Sequence, residues 1–253
     1  MFAEERKIKI AKMISDGKSV RVSELAKLFK VSESTIRRDL MSMENHGNIL
    51  RTHGGAVSNV NTQFEPSFFE KQEKHADKKD TIGKIAAGMI NDGDTVIIDS
   101  GTTTQYIGKY IKAKNITIIT NSVPLSYELS NSEDIEVITT GGMIRSNTKA
   151  MIGPTAEMTL KQFRVDKAFI GANGISIECG ATTPNIIEAN TKKAMIETSK
   201  KVYIVADSSK FNEVTFAFIC SVKDIDCIIT DSELSEEEAD KYRQLGVDII
   251  TRL

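Results

Sequence analysis

Hydrophobic positions in the first sixty residues recur at helical spacing and are cut by turn signals. Ile8, Ile10, Ala11, Met13 and Ile14 are interleaved with charged residues and stop at Asp16-Gly17, which predicts a helix over roughly 3–15. Ser23 precedes a run carrying Leu25, Ala26, Leu28 and Phe29, and Ser32 precedes another with Ile36, Leu40 and Met43 at i, i+4, i+7. Only Lys30-Val31 separates these two short helices. Gly47 stops the third helix, and 49–52 and 53–57 then read as two short strands around a glycine turn. Three helices and a glycine-centred hairpin predict a winged helix-turn-helix.

Periodicity is lost after residue 58. Asn59, Asn61, Gln63, Pro66 and Ser67 mix with Phe64, Phe68 and Phe69 before a charged stretch over 70–80, which predicts a linker over 59–80 with some docking hydrophobes. From Ile82, Ile85, Ala86 and Met89 onward, helical and strand-like segments alternate. Strands are expected near 95–98, 116–120, 136–139, 167–170, 202–206, 217–220, 227–230 and 247–251, with helices over 103–111, 124–130, 155–161, 187–199 and 235–245. The last helix opens on a Ser235-x-x-Glu238 capping box. The alternation predicts a doubly wound, mainly parallel α/β sheet with its ligand loops at the carboxyl ends of the strands. The expected organisation is therefore a DNA-binding domain over 1–58, a linker over 59–80 and an α/β domain over 81–253.

Charge sharpens this division. The formal net charge is −2, yet residues 1–57 carry 11 basic and 7 acidic side chains, which leaves the remainder at −6. A basic N-terminal quarter precedes an acidic body. The charged start and the absence of any apolar run near membrane-spanning length lead us to expect a cytoplasmic protein without a membrane segment. Cys179, Cys220 and Cys227 form no C-x-x-C pair, so neither a disulfide framework nor a thiolate zinc site is expected.

On the third helix, Ile36 and Leu40 face inward, which leaves Ser32, Ser34, Thr35, Arg37 and Arg38 exposed near its N-terminus. Short hydroxyls at a helix start can approach phosphates, and arginine can fork onto guanine O6 and N7 in the major groove. Arg51, His53, Gly54 and Gly55 belong to the wing and are the remaining candidate DNA contacts. Two arginines alone are better explained by a solvated face of a packing module; the whole helix, turn, helix and wing combination favours DNA.

In the second half, the strand over 95–98 runs into Asp99-Ser100-Gly101-Thr102-Thr103-Thr104 and then a helix, an arrangement suited to an anion. It is neither a Walker A loop nor G-x-G-x-x-G. Three more loops follow predicted strands: Thr140-Gly141-Gly142 with Arg145, Gly171-Ala172-Asn173-Gly174, and Asp207-Ser208-Ser209-Lys210. Candidate effector contacts are Asp99, Ser100, Gly101, Thr102, Thr103, Gly141, Gly142, Arg145, Asn173, Glu188 and Lys210, with Lys210 as a phosphate partner and Asp99, Asn173 and Glu188 as acceptors for sugar hydroxyls. Read singly, each glycine can be no more than a turn and each charge a solvated one.

The strings V-S-E-S-T-I-R-R-D-L and G-N-I-L-R-T-H-G-G-A closely resemble the winged helix-turn-helix of the DeoR family of bacterial transcriptional regulators. The strings I-I-D-S-G-T-T-T, T-G-G-M-I-R, G-A-N-G-I, G-A-T-T-P-N-I-I-E-A and A-D-S-S-K-F resemble that family's sensor domain. The resemblance implies a repressor of a sugar-catabolism operon, released from its DNA operator by a phosphorylated sugar, with no cofactor. It also implies a sensor fold similar to pentose-phosphate isomerases, in which S-G-T-T and D-S-S-K stand where the enzymes hold substrate phosphate. The chain departs from the enzymes in having Asn173-Gly174 after its G-A where acidic residues are called for, and in lacking a lysine over 178–181.

Isomerisation needs a carboxylate base and a group that stabilises the enediolate. Glu188 alone leaves the second acid-base group missing. No G-x-S-x-G elbow is present, and His46, His53 and His75 all precede the sheet region. No catalytic or metal-binding role is therefore expected. A DNA-binding protein without a ligand is the other alternative, and small polar residues at several strand ends argue against it. Useful operator specificity calls for two half-sites, so a homodimer or larger homo-oligomer is expected.

Overall fold

A computed structural model describes residues 3–15, 20–45, 49–52, 55–58 and 66–252. The chain divides into two compact units, Met1–Phe64 and Glu65–Leu253.

The first unit contains α1 (Ala3–Ser15), β1 (Val20–Arg21), α2 (Val22–Phe29), α3 (Glu33–Asn45), β2 (Ile49–Thr52) and β3 (Gly55–Ser58). α2 starts before Ser23, from an extended Arg21, and closes at Lys30 in the left-handed conformation (φ 53°). The turn is tied by Val31 N donating to Ala26 O at 3.1 Å. α3 opens on Ser32, whose Oγ accepts from Thr35 N at 3.2 Å. Ile10, Ile14, Leu25, Ile36, Leu40 and Met43 from the helices meet Val20 and Ala56 from the strands in one core. Within that core Arg6 Nε lies 2.6 Å from Asp39 Oδ2, both side chains buried, so an ion pair ties α1 to α3. The strands form an antiparallel sheet in the order β1-β3-β2. β1, two residues long, carries too little pattern to be read from sequence.

The second unit begins with α4 (Phe68–Glu73) and α5 (Ala76–Ala87). These elements occupy half of the positions expected as linker: Ser67 caps α4 in a box with Glu70, and much of the charged stretch that follows is helical. Next come β4 (Thr95–Ile98), α6 (Gln105–Gly108), β5 (Ile116–Thr120), α7 (Val123–Leu129), β6 (Ile135–Thr139), β7 (Met143–Arg145), β8 (Ala150–Ile152) and α8 (Pro154–Leu160). The chain continues through β9 (Val165–Gly171), β10 (Gly174–Ser176), β11 (Gly180–Thr183), α9 (Ile186–Glu197), β12 (Ser199–Val205), β13 (Ala217–Cys220), β14 (Cys227–Ile229), α10 (Glu236–Arg243) and β15 (Asp248–Ile250).

Seven of these strands form one parallel sheet in the order β15-β14-β12-β9-β4-β5-β6. The period-2 alternation distributes side chains to two cores. Val96, Ile98, Phe169 and Tyr203 pack with Ile82, Ile85 and Leu125 on one face, and Ile97, Ala168, Ile170 and Ile204 pack with Ala189 and Met195 of α9 on the other. From β4 the chain winds outward through β5 and β6, then returns to place β9 on the opposite side of β4. β4 and β9 are therefore the switch point of the sheet, where their following loops diverge and leave a crevice.

Two expectations are corrected here. The strand over 217–220 does not join the large sheet; as β13 it pairs antiparallel with β11 in a small sheet, β10-β11-β13. Alternation of buried Ala217 and Ile219 with half-exposed Phe218 identifies a strand but not its sheet. The helix expected over 103–111 shortens to α6, four residues preceded by turns, so little helix dipole points at the loop after β4.

Candidate functional site

On α3 the inward residues Ile36, Asp39 and Leu40 are buried, while Ser32, Ser34, Arg37 and Arg38 are exposed and Thr35 is half-buried. One turn of helix thus presents two guanidiniums beside a knot of hydroxyls, with Ser32 Oγ at 2.8 Å from both Ser34 Oγ and Thr35 Oγ1. Arg37 NH2 sits 3.2 Å from Glu33 Oε2, an exposed i,i+4 pair. Such pairs contribute about 0.3–0.5 kcal/mol, little beside the roughly 1–3 kcal/mol of a bidentate base contact, so Glu33 does not hold Arg37 back from a stronger partner. Arg51 lies on β2 opposite Ala56 of β3. Gly55 has a reason of its own: a Cβ there would stand 1.9 Å from Val20 O, so the β1–β3 pairing requires glycine. His53 and Gly54 lie outside the described residues.

In the second unit a cleft opens at the switch point. Its walls include Ser100, Gly101, Thr102 and Thr103 after β4, Gly171, Ala172 and Asn173 from β9 onward, and Asp207 and Lys210 after β12. α9 adds Glu188 and Lys192, and Thr148 precedes β8. Lys71, Lys74, His75 and Lys79 of the α4–α5 segment complete it. The loop after β4 is shaped by Thr104, whose Oγ1 donates to Asp99 O at 2.6 Å and accepts from Gly101 N at 2.7 Å. Asn173 Oδ1 accepts from Thr183 Oγ1 at 3.1 Å, and Asp207 caps the turn before Lys210 by accepting from Ser209 N at 3.1 Å.

The expected effector residues divide by position. Ser100, Gly101, Thr102, Thr103, Asn173, Glu188 and Lys210 come together in the cleft. Asp99 does not line it: fully buried, its Oδ2 accepts from Gly171 N at 3.0 Å and from Lys192 Nζ, which also donates to Gly171 O at 3.0 Å. Its role here is to position Lys192 and the two switch-point loops. Arg145 reaches the cleft only through Glu188, donating to Oε1 at 3.1 Å, and Thr148 Oγ1 donates to the same oxygen at 2.5 Å. Gly141 and Gly142 stand apart from the cleft. Gly142 (φ +106°) serves a close approach, since a Cβ there would lie 2.7 Å from Ile152 O.

Sequence reasoning missed Lys71, Lys74, His75, Lys79, Thr148 and Lys192. The Ser67-x-x-Glu70 capping box was a readable signal that helices begin before residue 80. Glu188 and Lys192, spaced i,i+4, share one helix face, a signal that Lys192 follows Glu188 into the cleft.

Electrostatically the cleft is basic. Burial pushes the Lys79 pKa down to about 8, against the pull of Asp207 and with the help of Lys210, Lys71 and Lys74. Burial likewise lowers the Lys210 pKa, opposed by Asp207. Among the described residues no cluster of three or more histidine, cysteine or acidic side chains is arranged to hold a metal ion. No helix among them is long and apolar enough to cross a membrane.

Comparison with known proteins accounts for both units. Residues 6–62 match the family model of the DeoR-like helix-turn-helix domain, and residues 74–232 match the DeoR C terminal sensor domain. The chain is 39% identical over 234 residues to the uncharacterized HTH-type transcriptional regulator YulB of Bacillus subtilis (strain 168), covering 92% of this chain and 91% of that one. It is 34% identical over 250 residues to the HTH-type transcriptional repressor GlcR of the same organism, covering 99% and 96%. Ribose 5-phosphate isomerase A from Methanocaldococcus jannaschii shares 16% identity at a TM-score of 0.39, over 55% of each chain. With a DNA-reading domain and a sensor domain both matched, the chain belongs to the DeoR family of transcriptional regulators.

Proposed function

We propose that this regulator represses a sugar-catabolism operon and that a phosphorylated sugar, bound in the switch-point cleft, releases it from DNA. The observation that carries this reading is the convergence of Ser100–Thr103, Asn173 and Lys210, from three separate loops, on one basic cleft. Backbone amides, hydroxyls and an ammonium suit a phosphate; Asn173 and Glu188 supply polar groups for sugar hydroxyls. That the similar protein GlcR is a transcriptional repressor supports the sign of regulation. Ser32, Ser34, Thr35, Arg37 and Arg38 read the operator, and Arg51 and His53 with Gly54 and Gly55 form the wing beside it. The protein acts in the cytoplasm as a homodimer or larger homo-oligomer and needs no cofactor.

Binding without turnover follows from the side chains in the cleft. Of the carboxylates in the cleft, Glu188 already accepts from Arg145 and Thr148, and Asp207 accepts from Ser209; His75, expected from the sequence to lie outside the sheet domain, also lines the cleft. The test is fluorescence anisotropy of the full chain on DNA from upstream of its own gene, at fixed salt, with sugar phosphates and their unphosphorylated parents. Release by one phosphorylated sugar and not by its parent is the expected result. DNA binding that no compound alters removes the effector reading, and isomerase activity on the same panel removes the non-enzymatic one.

A further inference from the structure

One turn of chain holds the carboxylate of Glu188. Thr148 Oγ1 and Arg145 NH1 both donate to its Oε1, at 2.5 and 3.1 Å, and the Glu188 and Thr148 side chains are buried. Between these two donors the β7–β8 hairpin closes: Lys149 N donates to Arg145 O at 2.8 Å, and Lys149 takes the left-handed conformation (φ 56°). The outgoing side of the turn is anchored. Arg145 pairs with Ala150 and Ile144 with Met151, Met151 N donates to Asn121 O at 2.7 Å, and Val123 N donates to Lys149 O at 3.1 Å. The tip makes a further bond. Phe68 N donates to Asn147 O at 2.8 Å, and the Lys149 ammonium lies 5.9 Å from the centre of the Phe69 ring. Phe68 is the first residue of α4, its side chain is buried, and the second unit begins at Glu65. Residues 145–149 therefore touch a carboxylate of the cleft on one side and the first helix of the sensor unit on the other.

We propose that this turn couples the two, so that a ligand hydroxyl taken up by Glu188 is reported through Thr148 and Asn147 to Phe68, where the chain enters the sensor unit from the DNA-binding unit. The inference rests on the reading that a sugar phosphate occupies the cleft, and it divides the work between the two ends of that ligand: the phosphate anchors, and the hydroxyls are reported. A carboxylate that accepts a third donor loosens its hold on the first two, because all of them draw on one negative charge. With residues 149–152 fixed by β7, β7's partner strand and the loop after β5, the part free to yield is the turn over 145–148, and the bond it carries outward is the one to Phe68. Thr148 acts here as a positioning residue through Glu188. A ligand without a hydroxyl at Glu188 meets both arrangements of the turn alike and shifts neither.

Amide exchange of the full chain, read at Phe68, tests the coupling with inorganic phosphate and with each sugar phosphate of the panel at saturation. A sugar phosphate that releases DNA should speed exchange of the Phe68 amide by about threefold or more, and inorganic phosphate should leave it unchanged. With no ligand present, Glu188→Gln should speed the same amide, since a neutral amide holds Thr148 less strongly than a carboxylate, while the amides of β4 keep their wild-type rates. Thr148→Val should reduce the change in operator Kd at saturating sugar phosphate by about fivefold or more, and Thr148→Ser, which keeps the hydroxyl, should restore it. Release of DNA with the Phe68 amide unmoved overturns the coupling and leaves the effector reading standing. So does Phe68 exchange at the wild-type rate in Glu188→Gln, or a full response by Thr148→Val. A panel in which no sugar phosphate releases DNA removes the effector reading, and the inference with it, even where Glu188→Gln loosens Phe68.

Discussion

Lys79 is the side chain whose charge its surroundings contest most strongly. With burial holding its pKa at about 8 against 10.5 unperturbed, it binds fewer protons folded than unfolded between those values. The folded state is therefore disfavoured by its charge below about pH 8 and relieved as pH rises toward 10.5. A phosphate bound in the cleft as proposed should have the opposite slope: beside Lys79 it would raise the pKa of that lysine, so between pH 8 and 10 binding would take up a proton and weaken as pH rises. Titration calorimetry at pH 8.5 in buffers of different ionisation heat should register that uptake; heats independent of buffer refute it. Gly55 carries a different constraint. Gly55→Ala places a methyl 1.9 Å from Val20 O, so β3 must part from β1, at a cost of about 1–3 kcal/mol. Urea denaturation should show the first unit destabilised while the second unfolds as before. DNA binding lost without loss of stability would instead assign Gly55 a direct contact.

α3 joins a reading face to an anchored back. Arg37→Ala or Arg38→Ala should each weaken operator binding by roughly 1–3 kcal/mol if the residue forks onto a base, without altering the melting temperature. Normal affinity in either variant removes that residue from the interface. Arg6→Met should act by another route, since stranding the Asp39 carboxylate in the core costs about 3–5 kcal/mol. Operator binding then falls with stability, which calorimetry separates from the surface variants. The period of the apolar pattern made α3 and the central strands of the second unit legible: β4 and β5 lie where alternation and β-branched residues placed them. It did not reveal β10 and β11, whose Gly174, Ser176, Gly180 and Thr182 read as turn chemistry and become strands only because they pair with each other and β11 pairs with β13. α4 and α5 were obscured because charge along 70–80 resembles a solvated linker until the cleft supplies a reason for it.

A regulator of this kind must convert occupancy of one unit into a change at the other. Inverting a 99:1 population calls for a differential affinity of about 5.5 kcal/mol, which several charge-assisted contacts can supply. Lys210→Ala and Thr102→Val should leave operator affinity intact and raise the effector concentration for release at least tenfold; an unchanged response in both places the phosphate elsewhere. Much of the cleft was legible because its loops follow strands, and parallel winding gathers such loops at one edge. Asp99 and Arg145 were legible only as polar groups; their pairing with Lys192 and Glu188 depends on α9, which no local pattern relates to β4. The sheet that makes this edge also sets an order of events. Its middle is a pairing of Val96 with Lys167, and Lys210 arrives later still, whereas the core of the first unit, among the described residues, runs no further than Ala56. A ribosome delivers the chain from its N-terminus. During each round of synthesis, then, the helix-turn-helix unit has the described residues of its core before the cleft of the sensor unit has acquired its last wall.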